Sequence, residues 1–156
     1  MLALLGQHME CVERRPEEAK AAYARALALA AEHGHVTAQV EMLSALVRTA
    51  AEPPSAQAAA ARAVALARGV PSPVAAAAAA EAQALVAAAP DDLGGLQGAA
   101  ELWKAAGRLL DAARCRLLVA HRLHERGDSA AASALQTAEA EYERLGAGHH
   151  LAKSGA

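Results

Sequence analysis

Alanine is the residue type that most constrains how this chain can fold, because it supplies 48 of the 156 residues. It is the strongest helix former and loses no side-chain entropy in a helix. Strand formers are scarce by comparison: phenylalanine is absent, and the chain has two tyrosines and one tryptophan. The sequence therefore predicts an all-α fold, in which small side chains let neighbouring helices pack closely around a thin core.

The length of 156 residues fits one domain. We expect that domain to cover residues 1–148 and to be followed by a flexible C-terminal tail over 149–156. The formal net charge is −2, with basic and acidic residues interspersed, so we expect no direct binding of nucleic acid, which needs a concentrated positive field.

The chain also lacks the sequence features of export or membrane insertion. Its N-terminal apolar run is short, and no apolar stretch approaches the roughly 20 residues of a membrane helix. Cys11 and Cys115 are far apart and fall inside helical patterns, which does not resemble the disulfide framework of a secreted protein. These observations favour a reducing cytoplasm.

Prolines and glycines divide the chain into about eight predicted helices. Each is bounded by a proline, a glycine or a capping residue. The predicted helices cover 2–14, 16–34, 36–51, 55–69 with Ser55 as N-cap, 73–90 with Ser72 as N-cap, a segment from a cap at Asp91 or Asp92 to Gly107, 109–126, and a last helix from a cap at Asp128 or Ser129 to Leu145. Short turns make consecutive helices antiparallel neighbours, in a bundle or in a solenoid of helix pairs.

Small and aromatic residues recur at helical spacing, and two such helices approximate the period of tetratricopeptide arrays. The recurring positions are Leu5 and Gly6 with Ala19, Tyr23, Ala26 and Leu27; Trp103 with Gly107 and Ala112; and Gly127 with Ala132, followed by Tyr142. At these positions the chain resembles the tetratricopeptide repeat (TPR) family. The resemblance implies antiparallel helix pairs that stack as a right-handed solenoid, whereas residues 54–90 are too rich in alanine to align.

Residues 101–147 also resemble the C-terminal helical-repeat region of large bacterial regulators. These include LuxR-type ATP-dependent transcriptional activators and related nucleotide-cyclase and AAA-ATPase proteins. The sequence contains no G-x-x-x-x-G-K-[ST] motif, so the ATP binding of those regulators is not expected of this chain. The resemblance implies a sensor or scaffold segment of a bacterial transcriptional regulator.

Several side chains between Gly107 and Gly127 are the types found in metal sites or basic patches. His121 and His124 share a helix face, but two ligands make no closed metal site, and Cys115 lies well round the helix from His121. We expect solvated or groove-lining histidines, with Cys115 packed as a small hydrophobe. The arginines alternate with acidic residues and predict a salt-bridged exposed face; they are Arg108, Arg114, Arg116, Arg122 and Arg126.

Catalytic arrangements are equally hard to assemble. Glu139, Glu141 and Glu143 follow one another at every second residue, which scatters the carboxylates round a helix, whereas acid–base catalysis needs two that converge. The aromatic residues Tyr23, Trp103 and Tyr142 fall within apolar stripes and are predicted to be core. We therefore expect no catalytic, cofactor-binding or metal-ligating residues, and no enzyme activity.

Together these features predict a non-catalytic module that binds a protein or peptide, or its own parent domains, in the groove between stacked helix pairs. Dimerisation through the apolar first helix is a further expectation. The alternative is a small-molecule-sensing helical domain that regulates an attached ATPase or DNA-binding domain.

Overall fold

The computed structural model describes residues 15–87 and 93–146, together with Met1 and Gly6. In this part of the chain all regular structure is helical and no strand occurs. The helices are α1 (Pro16–Glu32), α2 (Val36–Arg48), α3 (Pro53–Ala67), α4 (Pro73–Val86), α5 (Gly94–Ala105), α6 (Leu109–Glu125) and α7 (Ala131–Arg144). The all-α prediction is confirmed, and these seven helices correspond to the second to eighth predicted ones.

Two predictions concern residues that lie outside the described part of the chain. The first predicted helix, over 2–14, is described only at Gly6, which is helical and buried. The predicted dimer contact through that helix and the predicted tail over 149–156 therefore remain predictions, because their residues lie outside the described part of the chain.

Prolines stand in the first turns of α1, α3 and α4, where the missing N–H removes no helical hydrogen bond. Ser72 caps α4 as predicted, because its hydroxyl accepts a hydrogen bond from the backbone N–H of Ala75 at 3.3 Å. The predicted cap at Ser55 was wrong. Pro53 and Pro54 both fit the first turn of α3, so the helix begins earlier and Glu52 is its N-cap residue.

The predicted caps of the last helices also need correction. Leu93 precedes α5 and Ala130 precedes α7, and neither makes a side-chain capping bond. Asp128 accepts a hydrogen bond from the Ala130 N–H at 2.9 Å, so it orders the turn before α7 and lies outside the helix. The other candidate caps, Asp91 and Asp92, fall outside the described residues.

Glycine ends α5 and α6 as predicted. Gly107 and Gly127 adopt φ values of +75° and +65°, in the left-handed region that glycine enters without a Cβ penalty. The next N–H then folds back: Arg108 donates to the Trp103 carbonyl at 2.9 Å and Asp128 to the Leu123 carbonyl at 3.0 Å. This is the Schellman ending of a helix, and it reverses the chain within a few residues.

The helices pack in chain order, each against the next, and α2 also packs against α4. Half of α4 is buried, and the buried positions cover most of its circumference: Ala75, Ala77, Ala78, Ala79, Glu81, Ala82 and Ala84. A helix that is apolar on most sides belongs inside the protein. α4, which lies within the alanine-rich residues 54–90 that could not be aligned, is thus at the centre of the fold, and its small side chains allow the close approach of α2, α3 and α5.

Gly6 lies against the buried ring of Tyr23 on α1, and a Cβ at position 6 would stand 2.6 Å from Tyr23 Cε1. We expect Gly6→Ala to lower the free energy of unfolding by about 1–3 kcal/mol, because the core would be overpacked. Gly98→Ala is the matched control, since no described atom lies within 4 Å of its added Cβ. Alanine in that helix should stabilise by up to about 1 kcal/mol. Urea unfolding tests both variants, and equal changes in the two would contradict the close contact.

Candidate binding cleft

An open cleft of about 690 Å³ lies between α2 and the start of α6. Its wall on one side is the face of α2 that carries Glu41, Ser44 and Arg48, and the turn from α5 to α6 forms the other. The described lining residues are Tyr23, Glu41, Met42, Ser44, Ala45, Arg48, Trp103, Gly107, Arg108, Leu109, Leu110, Asp111, Arg114 and Leu145. The lining thus combines apolar side chains with guanidinium and carboxylate groups.

A buried carboxylate beneath the floor of the cleft links the helices on its two sides. Glu81, on α4, is 0% exposed. Arg114 on α6 donates to it from Nη2 at 2.9 and 3.1 Å and from Nε at 3.2 Å. Arg48 on α2 donates from Nη1 at 3.3 Å, and the indole Nε1 of Trp103 donates at 2.9 Å. Glu81 therefore ties α2, α5 and α6 to the central helix.

The charge state of Glu81 follows from these partners. Burial by itself raises the pKa of Glu81, but the positive charges of Arg114 and Arg48 outweigh it, helped by the hydrogen bonds from Arg114 and Trp103. The pKa of this carboxyl is therefore lowered from its ordinary value. Glu81 is ionised at neutral pH, with its charge balanced inside the protein.

Arg108 bridges the mouth of the cleft. Its Nη1 donates to Glu41 Oε2 on α2 at 2.8 Å, and its Nε donates to Asp111 Oδ2 on α6 at 2.8 Å. The guanidinium also lies over the Trp103 ring, with its central carbon 5.3 Å from the ring centroid. The Arg108 and Glu41 side chains are 41% and 23% exposed, so this bridge is more exposed to water than the ion pairs of the fully buried Glu81.

Ser44 presents a polar group with no partner. Its side chain is fully buried on α2, and its hydroxyl oxygen has no hydrogen-bond partner among the residues that the structure describes. A buried hydroxyl without a partner is unfavourable, by about 1–3 kcal/mol. Ser44 stands one helical turn from Glu41, which places both on the cleft side of α2.

The structure brings together only some of the residues that the sequence singled out. The aromatic residues Tyr23, Trp103 and Tyr142 are buried as predicted, and the first two also line the cleft. Among the repeat positions, Ala19 and Ala112 are buried and Ala26 and Leu27 are partly buried. Ala132 is exposed, and its neighbour Ala131 is buried instead. The alanine that packs in this repeat therefore lies one residue before the predicted position. Leu5 lies outside the described residues.

The arginines do not form the single exposed face that was predicted. The Arg114 side chain is only 13% exposed and pairs with Glu81 and Asp111, because its position on α6 faces the central helix. Arg116 does form surface ion pairs, with Glu101 at 3.0 Å and Glu141 at 2.6 Å. Glu141 is thus a structural partner that links α7 to α6, and Glu139 and Glu143 are exposed.

The histidines and the cysteine take no part in the cleft lining that the structure describes. His121 is partly buried and His124 is exposed. Within residues 15–87 and 93–146, no group of three or more His, Cys, Asp or Glu side chains is arranged to hold a metal ion. In the same ranges, no helix combines the length and the apolar character that crossing a membrane requires.

Cys115 packs in the main core, as predicted, and is 0% exposed. Burial and the nearby charge of Glu81 raise the pKa of its thiol to about 12. We expect iodoacetamide to modify Cys115 slowly in the native protein, since the thiolate fraction is about a thousandfold below that of an ordinary thiol. The experiment uses a Cys11→Ser background and mass spectrometry, with the urea-unfolded chain as control. Equal rates in the folded and unfolded chains would contradict this burial.

Comparisons of the chain with protein-family models, with curated proteins and with solved structures return no match.

Proposed function

We propose that this chain is a non-catalytic, TPR-like helical-repeat module that binds a protein or peptide segment in the cleft between α2 and α6. The observation that carries the proposal is the cleft itself, with a floor held rigid by buried ion pairs and a mouth lined by apolar side chains. Leu109 and Leu110 stand there, each 39% exposed. A rigid concave surface with exposed leucines is typical of a site that receives a partner's side chains.

The spacing of the helices supports the repeat interpretation. α2, α4 and α6 begin at residues 36, 73 and 109, so successive helices of this set start 37 and 36 residues apart. TPR units repeat at about 34 residues. The packing of α2 against α4, in addition to the contacts between consecutive helices, is what stacked helix pairs produce. We infer a right-handed solenoid of helix pairs within a single domain over residues 1–148.

The residues of the cleft support a binding role over a catalytic one. Its charged side chains are engaged with one another, and Ser44 has no histidine or cysteine beside it among the described lining residues. A serine nucleophile needs an adjacent base. The resemblance of residues 101–147 to bacterial regulators suggests that the module is a cytoplasmic segment of a transcriptional regulator.

A small-molecule sensor is the second candidate, and the size of the cleft favours it. A volume of about 690 Å³ falls within the range of pockets that hold drug-sized ligands. In this alternative, ligand binding regulates an attached ATPase or DNA-binding domain.

The proposal can be tested by selecting peptides from a randomised library of capped peptides and measuring their binding by titration of Trp103 fluorescence. Trp103 is a suitable reporter because it lines the cleft and is the only tryptophan in the chain. We expect Leu110→Lys to abolish binding of the selected peptides. Leu102→Lys is the matched control, because Leu102 is equally exposed, at 42%, and does not line the cleft.

Failure to select any peptide, or peptides that bind the Leu110→Lys variant as tightly as the parent, would refute peptide binding in the cleft. A small molecule that shifts the melting temperature of the parent and of the Leu102→Lys variant, but not of the Leu110→Lys variant, would favour the sensor.

A further inference from the structure

Resting on the proposed function, we propose that the cleft selects an uncharged peptide segment with two adjacent aliphatic side chains, and that the Arg108–Glu41 bridge determines this selectivity. Arg108 and Glu41 neutralise each other at the mouth, so neither sign of charge on a ligand is favoured there. The aliphatic side chains of the ligand pack on Leu109 and Leu110.

The first step of the argument is the balance of charge round the cleft. Among the described residues, three guanidinium groups and three carboxylates line the cleft or lie beneath its floor, and each is paired with a group of opposite sign. They are Glu41, Arg48, Glu81, Arg108, Asp111 and Arg114. Because these pairs are closed within the protein, the six side chains together present no net charge. A charged ligand group would lose hydration on entering the cleft and meet no unpaired counter-charge.

The second step is the position of the Arg108–Glu41 bridge within this set. Its side chains are 41% and 23% exposed, whereas Glu81, which pairs with Arg48 and Arg114, is fully buried. A ligand at the mouth therefore meets the Arg108–Glu41 bridge before the other pairs. Removal of Glu41 leaves one guanidinium in excess in the set, and removal of Arg108 leaves one carboxylate in excess.

The third step is the character of the surface that remains uncovered at the mouth. Leu109 and Leu110 are each 39% exposed there. The aromatic rings offer no comparable surface, because Tyr23 and Trp103 are both 2% exposed and the Arg108 guanidinium lies over the Trp103 ring. A ligand therefore gains affinity by burying aliphatic surface. Leu109 and Leu110 are consecutive and point about 100° apart on α6, so two ligand side chains are needed to cover both.

Three capped tripeptides test this inference by titration of backbone amide shifts in NMR, which registers weak binding: acetyl-Gln-Leu-Leu-amide, acetyl-Glu-Leu-Leu-amide and acetyl-Lys-Leu-Leu-amide. We expect the parent protein to bind all three with affinities within about twofold of one another. The affinities should change little between roughly 0.05 and 0.5 M salt, because no net charge is neutralised on binding. Acetyl-Gln-Ser-Ser-amide is the control without aliphatic side chains and should not bind.

Variants of the bridge separate its role in selectivity from a structural one. Glu41→Gln should create a preference of up to about fivefold for the Glu peptide, and Arg108→Gln a similar preference for the Lys peptide. The double variant should bind the three peptides equally again, because the set is neutral once more. Binding of the Gln peptide should stay the same in all of them. Glu139→Gln, at an exposed position on α7, is the matched control and should create no preference.

Three results would overturn the selectivity while peptides selected from the library still bound in the cleft. They are a parent protein that already prefers the Glu or the Lys peptide more than about threefold, single variants that acquire no preference, and failure of all three Leu-Leu peptides to bind. Loss of binding of the library peptides as well would overturn the proposed function.

Discussion

Glu81→Gln should lower the free energy of unfolding by about 3–5 kcal/mol, because it removes one partner from a buried network of charges. The Arg114 side chain is 13% exposed and that of Arg48 is 12% exposed, so neither guanidinium regains full hydration when the carboxylate is lost. Asp111 remains bonded to Arg114 and compensates only in part. The loss is a large fraction of the roughly 5–15 kcal/mol by which domains are stable. Urea unfolding followed by circular dichroism measures it.

Glu139→Gln is the matched control for this substitution, since Glu139 is exposed on α7. We expect it to change stability by no more than about 0.5 kcal/mol. Arg114→Gln combined with Glu81→Gln should cost less than the sum of the single changes, because the two residues share one interaction. Additive effects, or a Glu81→Gln variant as stable as the control, would show that the network contributes little to stability.

The same carboxylate should make the protein sensitive to acid. The pKa of Glu81 is lower in the folded protein than its ordinary value of 4.5, so the unfolded chain binds its proton first as the pH falls. The stabilisation from this group is therefore fully present above pH 4.5 and is lost as the pH falls through the folded-state pKa. As the pH is lowered from neutral, we expect the free energy of unfolding to fall more steeply for the parent than for the Glu81→Gln variant. Parallel curves would contradict the lowered pKa.

The helical architecture could be predicted from local signals, because proline and glycine act on the backbone where they stand. Ser72 before Pro73 predicted the start of α4, and Gly107 and Gly127 predicted the ends of α5 and α6. The start of α3 was missed because Pro53 and Pro54 were interpreted as a break. A proline pair also fits a first helical turn, and the local sequence does not distinguish the two.

The site depended on contacts between distant residues, and those could not be predicted from helix patterns. Glu81 lies 33 residues from both Arg48 and Arg114 and 22 residues from Trp103. One signal was present: Glu81 follows a run of alanines in a helix that is apolar on most sides, and a carboxylate in such a helix is either paired or costly. Which arginine pairs with it depends on how α2 and α6 turn toward α4, and the pairing of Arg114 with Glu81 was missed for that reason.

Trp103→Ala should be the other severe substitution, with an expected loss of about 3–5 kcal/mol in the free energy of unfolding. Trp103 is 2% exposed and packs in the main core cluster between α5 and the central helix. Its removal leaves a cavity among alanines, whose short side chains reach little distance into the empty volume. Leu102→Ala is the matched control, because Leu102 is the preceding residue and is 42% exposed.

Trp103→Phe separates the packing of the ring from its hydrogen bond. Phenylalanine retains an aromatic side chain in the core but lacks the Nε1–H that donates to Glu81 at 2.9 Å. Its expected cost is about 1–3 kcal/mol, in part from the lost hydrogen bond to the buried carboxylate. That part should shrink in a Glu81→Gln background, where the acceptor is no longer charged. A Trp103→Phe cost that is the same in both backgrounds would mean that Trp103 stabilises the fold by packing alone, and that the tie between α5 and α4 does not depend on the Glu81 charge.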